Sequence, residues 1–270
     1  MADATDLDGY LRRIGHSGSR APTLETLRAL QLRHTLAIPF ENLDPLLRRP
    51  VRLDLPSLQQ KLVRGGRGGY CFEHNLLFRA ALDALGFRVA GLAARVVWNV
   101  PDGAALPRSH MLLRVTIGGQ DYIADVGFGG QTPTGPIRLA TDIEQATPHE
   151  PFRLLAAGDG FLMQVRLGGE WKSLYRFDLQ EQFLPDYEIA NWYVSTHPES
   201  RFVTNLTVAR AAADGRYALF NTEFALHPLG GPSERRKLAG AAEIRQVLRD
   251  VFGLSLPEDP ELDAALEQLR

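Results

Sequence analysis

One cysteine in 270 residues, Cys71, directly follows the stretch Arg64-Gly65-Gly66-Arg67-Gly68-Gly69-Tyr70. A lone cysteine excludes an intrachain disulfide and a multi-cysteine zinc site, which leaves a buried apolar residue, an inert surface thiol or a nucleophile. The glycines ahead of it permit a tight backbone and the close approach of a ligand. They are not a phosphate loop, because a Walker A motif ends in Gly-Lys-Ser/Thr and the dinucleotide fingerprint follows a strand. Phe72, Leu76, Ala80 and Ala84 recur at helical spacing and Gly86 is a suitable stop, so a helix is expected over 71–85 with Cys71 at its N-terminus. A thiol attacks as its thiolate, and a helix N-terminus with a cationic neighbour stabilises that anion. The position favours the nucleophile.

Such a nucleophile needs a base, and there are seven histidines: His16, His34, His74, His110, His149, His197 and His227. His110 opens the run His110-Met111-Leu112-Leu113-Arg114-Val115-Thr116-Ile117, which Gly118-Gly119 separates from Gln120-Asp121-Tyr122-Ile123-Ala124-Asp125-Val126-Gly127, a hairpin signal. With a two-residue turn, Ile117 pairs with Gln120, Val115 with Tyr122, Leu113 with Ala124 and Met111 with Val126, giving one apolar face. The other face carries His110, Leu112, Arg114, Asp121, Ile123 and Asp125, with Asp125 diagonal to His110 and within side-chain reach. A three-residue loop would bury the Asp125 carboxylate unpaired among Met111, Leu113 and Val115, which is costly. The pair is either a catalytic dyad or two residues that satisfy one another structurally. His74, three residues after Cys71, is the rival base, but no carboxylate outside its own helix is placed to orient it. Glu73 reads as solvated or structural. No His-Glu-x-x-His or paired Cys/His spacing suggests a metal site.

The elements that must position these groups follow a simple succession. Helical patterns occupy 7–14, 23–36 and 57–63 ahead of the Cys71 helix, with Pro, Gly and Asp at the breaks. Short β-rich runs follow at 88–98, 110–117, 121–128, 152–156, 161–167 and 171–177, which together read as a sheet or small barrel. Beyond residue 184 come polar turns at 195–200, a strand-like run at 217–226 and a helix at 241–252, a mixed α/β part. The expected fold is α+β, divided at 1–86, 87–184 and 185–270. Thirty basic and 32 acidic residues give a formal charge of -2, so there is no field to hold nucleic acid or an anionic membrane. The first ten residues carry Asp3, Asp6 and Asp8 without a basic start or apolar core, and no later run stays apolar over the roughly 20 residues of a membrane helix; a cytoplasmic protein is expected.

Four motifs, Arg67-Gly68-Gly69-Tyr70-Cys71-Phe72-Glu73-His74-Asn75, Pro39-Phe40-Glu41-Asn42-Leu43, Ser109-His110-Met111 and Asp125-Val126-Gly127-Phe128-Gly129, resemble in order and spacing those of arylamine N-acetyltransferases. The resemblance spans essentially the whole chain. It implies a helical bundle carrying Cys71, an antiparallel β-barrel carrying His110 and Asp125, and a C-terminal α/β lid, around a Cys-His-Asp core of the cysteine-protease type. It further implies acetyl-CoA as acyl donor without a metal, and an arylamine or hydrazine acceptor. Phe40, Phe128 and Phe202 would then line an aromatic pocket, and Trp98, Ser109, Gly127 and Gly129 would flank the CoA side; each phenylalanine has core packing as its alternative. Glu41 would organise structure near the site. Ser109 departs from the threonine of the family pattern, keeping the hydroxyl and losing a methyl. Arg235-Arg236-Lys237 is either a CoA-phosphate contact or a solvated face. A cysteine hydrolase, an amide synthase closing a macrolactam, and a non-catalytic CoA- or arylamine-binding protein are the rival functions.

Overall fold

The computed structural model describes residues 4–101 and 104–269, so Asp3 of the acidic N-terminal stretch lies outside the described residues. The first third is helical where sequence caps and apolar periodicity predict it. Asp6 caps α1 (Leu7–Arg13) by accepting from Gly9 N–H at 2.9 Å, and Thr23 caps α2 (Leu24–Ala37). A two-residue strand β1 (Phe40–Glu41) and the single turn α3 (Leu43–Leu46) follow. The helix expected at 57–63 divides into α4 (Leu55–Leu58), with Pro56 in its first turn, and a π-helical turn Gln59–Arg64. α5 (Cys71–Ala84) begins at the cysteine and ends before Gly86, whose φ of 82° suits only glycine. It is the central helix: Phe72, Leu77, Phe78 and Leu82 are buried against α1, α2 and one face of the following hairpin, each burial stabilising by about 2 kcal/mol.

Seven antiparallel strands form the next unit: β2 (Arg88–Val96), β3 (His110–Ile117), β4 (Gln120–Ala124), β5 (Ile137–Arg138), β6 (Phe152–Ala157), β7 (Gly160–Leu167) and β8 (Glu170–Phe177), in the order β5-β4-β3-β2-β8-β7-β6. Bridges from Thr141 to Leu154 and from Gln145 to Phe152 bring the β5 end round to β6, so the sheet nearly closes into a barrel. The β3–β4 register is the one a Gly118-Gly119 turn dictates, with Ile117 opposite Gln120, Val115 opposite Tyr122 and Leu113 opposite Ala124. β4 stops at Ala124, short of the expected strand end at 128. Both faces of this hairpin are buried. Met111, Leu113, Val115 and Ala124 pack on the helices, while Leu112 and Ile123 join Leu92, Phe152, Met163 and Tyr175 inside the barrel.

After the barrel come α6 (Leu184–Thr196), a helix not among the expected elements that overlaps only the start of the turns expected at 195–200, and the short α7 (Arg201–Thr204). The run expected as a single strand at 217–226 is two: Asn221, at φ 51°, and Thr222 make a two-residue turn between β10 (Gly215–Phe220) and β11 (Glu223–Pro228). With β9 (Thr207–Ala212) and β12 (Glu234–Lys237) they form a second sheet, β1-β9-β10-β11-β12. β1 thus crosses from the N-terminal helices, pairing Phe40 with Ala209. α8 (Ala241–Asp250) and α9 (Pro260–Glu267) cover this sheet over Leu206, Val208, Leu219, Ile244 and Leu262. The fold is α+β. Among the described residues no helix is long and apolar enough to cross a membrane.

Candidate active site

Cys71 is 4% exposed at the first residue of α5, and its Sγ donates to the Ser109 carbonyl at 3.7 Å. The residue after Ser109, His110, opens β3, and its Nε2 lies 2.7 Å from Asp125 Oδ2. Asp125 is fully buried, yet both carboxylate oxygens are used: Oδ1 accepts from Gly127 N–H at 2.9 Å and from Asn75 Nδ2 at 3.1 Å. The hairpin register thus brings the expected carboxylate and imidazole together, and the Cys71 sulfur sits beside them on the carbonyl of Ser109, the residue before His110. With Nε2 committed to Asp125, Nδ1 is the nitrogen left for the thiol.

Burial by itself would lower the His110 pKa; the charge and hydrogen bond of Asp125, with a smaller contribution from the nearby Cys71, outweigh it and push the pKa up to about 10. Burial also works against the Asp125 carboxylate, but the charge of His110 and the donors from His110, Gly127 and Asn75 hold its pKa below the usual value. The two partners therefore agree: the arrangement favours imidazolium and carboxylate.

Asn75, which the sequence presents only as the end of a motif, is the residue that locks the nucleophile's helix to the base and its orienter. One helical turn beyond Cys71, it donates to Met111 O at 2.8 Å and to Asp125 Oδ1, and its own Oδ1 accepts from Val126 N–H at 3.2 Å. Its i+4 relation to Cys71 is the available signal, since that spacing puts both on one helix face. Gln31 of α2 supports the other side of the loop by donating to Asp125 O at 3.3 Å and Pro133 O at 2.9 Å. Tyr175, which no sequence pattern marks, packs with its ring 5.0 Å from that of His110, its phenol kept neutral by burial and by the Asp125 charge.

His74 points away from this constellation. It forms a buried chain in which Tyr10 OH meets His34 Nδ1 at 2.9 Å, His34 Nε2 meets His74 Nδ1 at 2.8 Å and His74 Nε2 meets Pro39 O at 3.2 Å. Burial lowers the His74 pKa to about 4 and that of His34 well below its ordinary value, so both rings are neutral supports. Glu73 is buried: it accepts from Tyr70 N–H at 3.0 Å and from Lys61 Nζ at 2.7 Å. Lys61 continues to Asp44 at 2.6 Å, and Arg67 joins Asp44 to Glu41, so alternating charges under the glycine loop fix its path into α5.

Phe40 and Phe202 pack 5.9 Å apart on the β1 side, where Phe202 also meets Tyr70. Phe128 stands edge-on to His110 at 5.2 Å and against Tyr175 at 5.1 Å. Gly127 has no room for a side chain, because a Cβ would fall 2.7 Å from Cys71 Cα; its lack of one serves the approach of α5 itself. Gly129 faces the Phe40 ring at φ 82°. Trp98 follows β2 and packs on the barrel core, and Ser109 lines a cleft of about 460 Å³ between the barrel rim and α6. Arg235, Arg236 and Lys237 lie on the exposed outer strand β12, where Arg236 pairs with Glu243. Among the described residues no cluster of three His, Cys, Asp or Glu side chains is placed to hold a metal.

A family model described as N-acetyltransferase matches residues 23–260. An arylamine N-acetyltransferase of Mycobacterium tuberculosis strain H37Rv is 46% identical over 265 residues, 97% of this chain and 93% of that protein. The one from Escherichia coli K12 is 45% identical over 253 residues, 93% of this chain and 90% of its own length. The solved structure of Mycobacterium marinum arylamine N-acetyltransferase in complex with CoA superposes with a TM-score of 0.94 at 44% identity, covering 98% of this chain and 99% of that one.

Proposed function

The chain belongs to the arylamine N-acetyltransferase family, and from that premise we propose that it carries acetyl from acetyl-CoA to an arylamine or arylhydrazine nitrogen through an acetyl-Cys71 intermediate, in a ping-pong cycle. The observation that carries this reading is the buried Asp125–His110 contact of 2.7 Å with the only cysteine bonded to the carbonyl of the preceding residue, Ser109. We take 1–86, 87–184 and 185–270 as its three units.

The first half-reaction starts from a Cys71 thiolate paired with the His110 imidazolium, which holds the thiol's proton and is stabilised by Asp125. The Cys71 sulfur forms a bond to the thioester carbonyl carbon, and first-turn N–H groups of α5 are the donors available to the tetrahedral oxyanion. Collapse breaks the bond to the CoA sulfur, which leaves with the proton from His110. In the second half-reaction the amine nitrogen attacks the acetyl-Cys71 carbonyl, His110 takes the amine proton, and the Cys71 sulfur departs and is reprotonated. One site serves both substrates in turn. Arylamines are neutral near pH 7, and Phe40, Phe202 and Phe128 supply the aromatic walls such a ring needs. For the donor, the cleft lined by Ser109 gives one approach, and Gly130 offers backbone with open space where a side chain would stand.

The test is intact-protein mass spectrometry after brief mixing with acetyl-CoA and no amine, with peptide mapping and Cys71→Ser as control. One acetyl group on Cys71, discharged by an added arylamine, is the expected result. A folded, reduced sample that gains no adduct while still acetylating the amine would exclude the covalent route.

A further inference from the structure

A second cavity, of about 790 Å³, opens between α2 and the segment that runs on from β5, and Cys71, His110 and Asp125 are not among its walls. Leu24 and Leu32 of α2, Tyr122 of β4 and Ile143 give it apolar sides, and Arg28 and Arg138 both face it. No aspartate or glutamate lines it. Among the described residues neither guanidinium has an ion pair or a side-chain hydrogen bond. That sets them apart from Arg67 and Arg216, each neutralised by a carboxylate. Ile143 remains 45% exposed at the cavity, a large apolar side chain left in water.

We propose that this cavity is a binding site for a small amphipathic anion, an aryl or short alkyl carboxylate whose apolar body lies against Leu24, Leu32 and Tyr122 while its carboxylate bridges Arg28 and Arg138. The volume falls within the roughly 300–1,000 Å³ of small-molecule sites. Two guanidiniums with no competing acid select an anion, and their planar forks match a carboxylate. The apolar walls separate this ligand from a bare phosphate or sulfate. The site also adjoins the catalytic loop without entering it: Gln31, between Arg28 and Leu32 on α2, holds the Asp125 and Pro133 carbonyls, and Tyr122 stands three residues before Asp125.

The experiment is titration calorimetry on the full chain with Cys71 alkylated by iodoacetamide, which blocks the thiol cleft. 2-Naphthoate is the probe, with uncharged 2-naphthalenemethanol and inorganic phosphate as controls. Saturable naphthoate binding is expected, at least ~10-fold tighter than either control. Arg28→Glu/Arg138→Glu should weaken it at least ~10-fold, since two attractive charges are replaced by two that repel the carboxylate. Arg28→Gln/Arg138→Gln, which adds no repulsion, provides a second measurement of the same loss. Absence of binding up to ~10 mM naphthoate, equal affinity for the alcohol or for phosphate, or full affinity in the glutamine pair would each overturn the proposal.

Discussion

Replacing Asp125 by asparagine tests the site most directly, because the exchange keeps the shape and removes one charge. In the parent, the His110 pKa stands at about 10 against an ordinary 6.5, a shift dominated on the raising side by Asp125. At ~1.4 kcal/mol per unit this corresponds to about 5 kcal/mol favouring the imidazolium. The introduced asparagine can keep its oxygen towards Gly127 N–H and Asn75 Nδ2, the two donors Asp125 Oδ1 now accepts. Its amide nitrogen then faces His110 Nε2 as a donor, so that Nε2 must accept and the ring proton moves to Nδ1, the nitrogen needed to take the thiol proton. Loss of charge and the wrong tautomer act together, and acetylation of Cys71 should slow by on the order of 10³-fold or more. Quenched-flow mixing with acetyl-CoA, read by intact mass without amine, measures that step alone, with circular dichroism to establish the fold. A folded Asp125→Asn protein acetylated within about tenfold of the parent rate would refute the assignment of Asp125 as the orienter of the base.

Gly127→Ala places a Cβ 2.7 Å from Cys71 Cα and 3.1 Å from Cys71 O, both backbone atoms; we expect a loss of about 1–3 kcal/mol in urea unfolding and an acetylation rate down ~10²-fold, and unaltered values would mean that α5 shifts freely there. Lys61→Met leaves Glu73 and Asp44 without the ammonium that now sits 2.7 and 2.6 Å away, which should cost about 3 kcal/mol and lower Tm by ~6–12 °C in calorimetry. His74 is neutral in the folded state down to about pH 4, whereas the unfolded chain takes up that proton near pH 6.5. Its contribution is therefore present above pH 6.5 and lost as pH falls towards 4, about 2 kcal/mol by pH 5. His110 has the opposite sign, its contribution being complete below pH 6.5 and lost as pH rises through about 10. Histidine ring NMR across this range checks both, and a His74 ring titrating near 6.5 would contradict the buried chain.

Local patterns in the sequence were sufficient for the parts that short-range chemistry specifies. A Gly-Gly turn fixes a two-residue loop, the loop fixes the pairing, and the pairing puts Asp125 beside His110, as found. Apolar spacing and the Gly86 stop placed Cys71 at a helix start. Where a local signal is easily passed over, the error is local too: the Asn221-Thr222 turn splits an expected strand, and α6 occupies a stretch for which no element was expected, ending inside the expected 195–200 turns. Other features were decided only by the tertiary structure. Phe40 pairs with Ala209 across 169 positions of chain, Asn75 ties α5 to β3 and to the Asp125 loop, and Tyr10, His34 and His74 meet from three helices. Periodicity says which face of an element is apolar, but not which other face it will meet. That choice is made by closing long loops so that volumes fit and every buried polar group finds its partner, a condition on the whole chain at once.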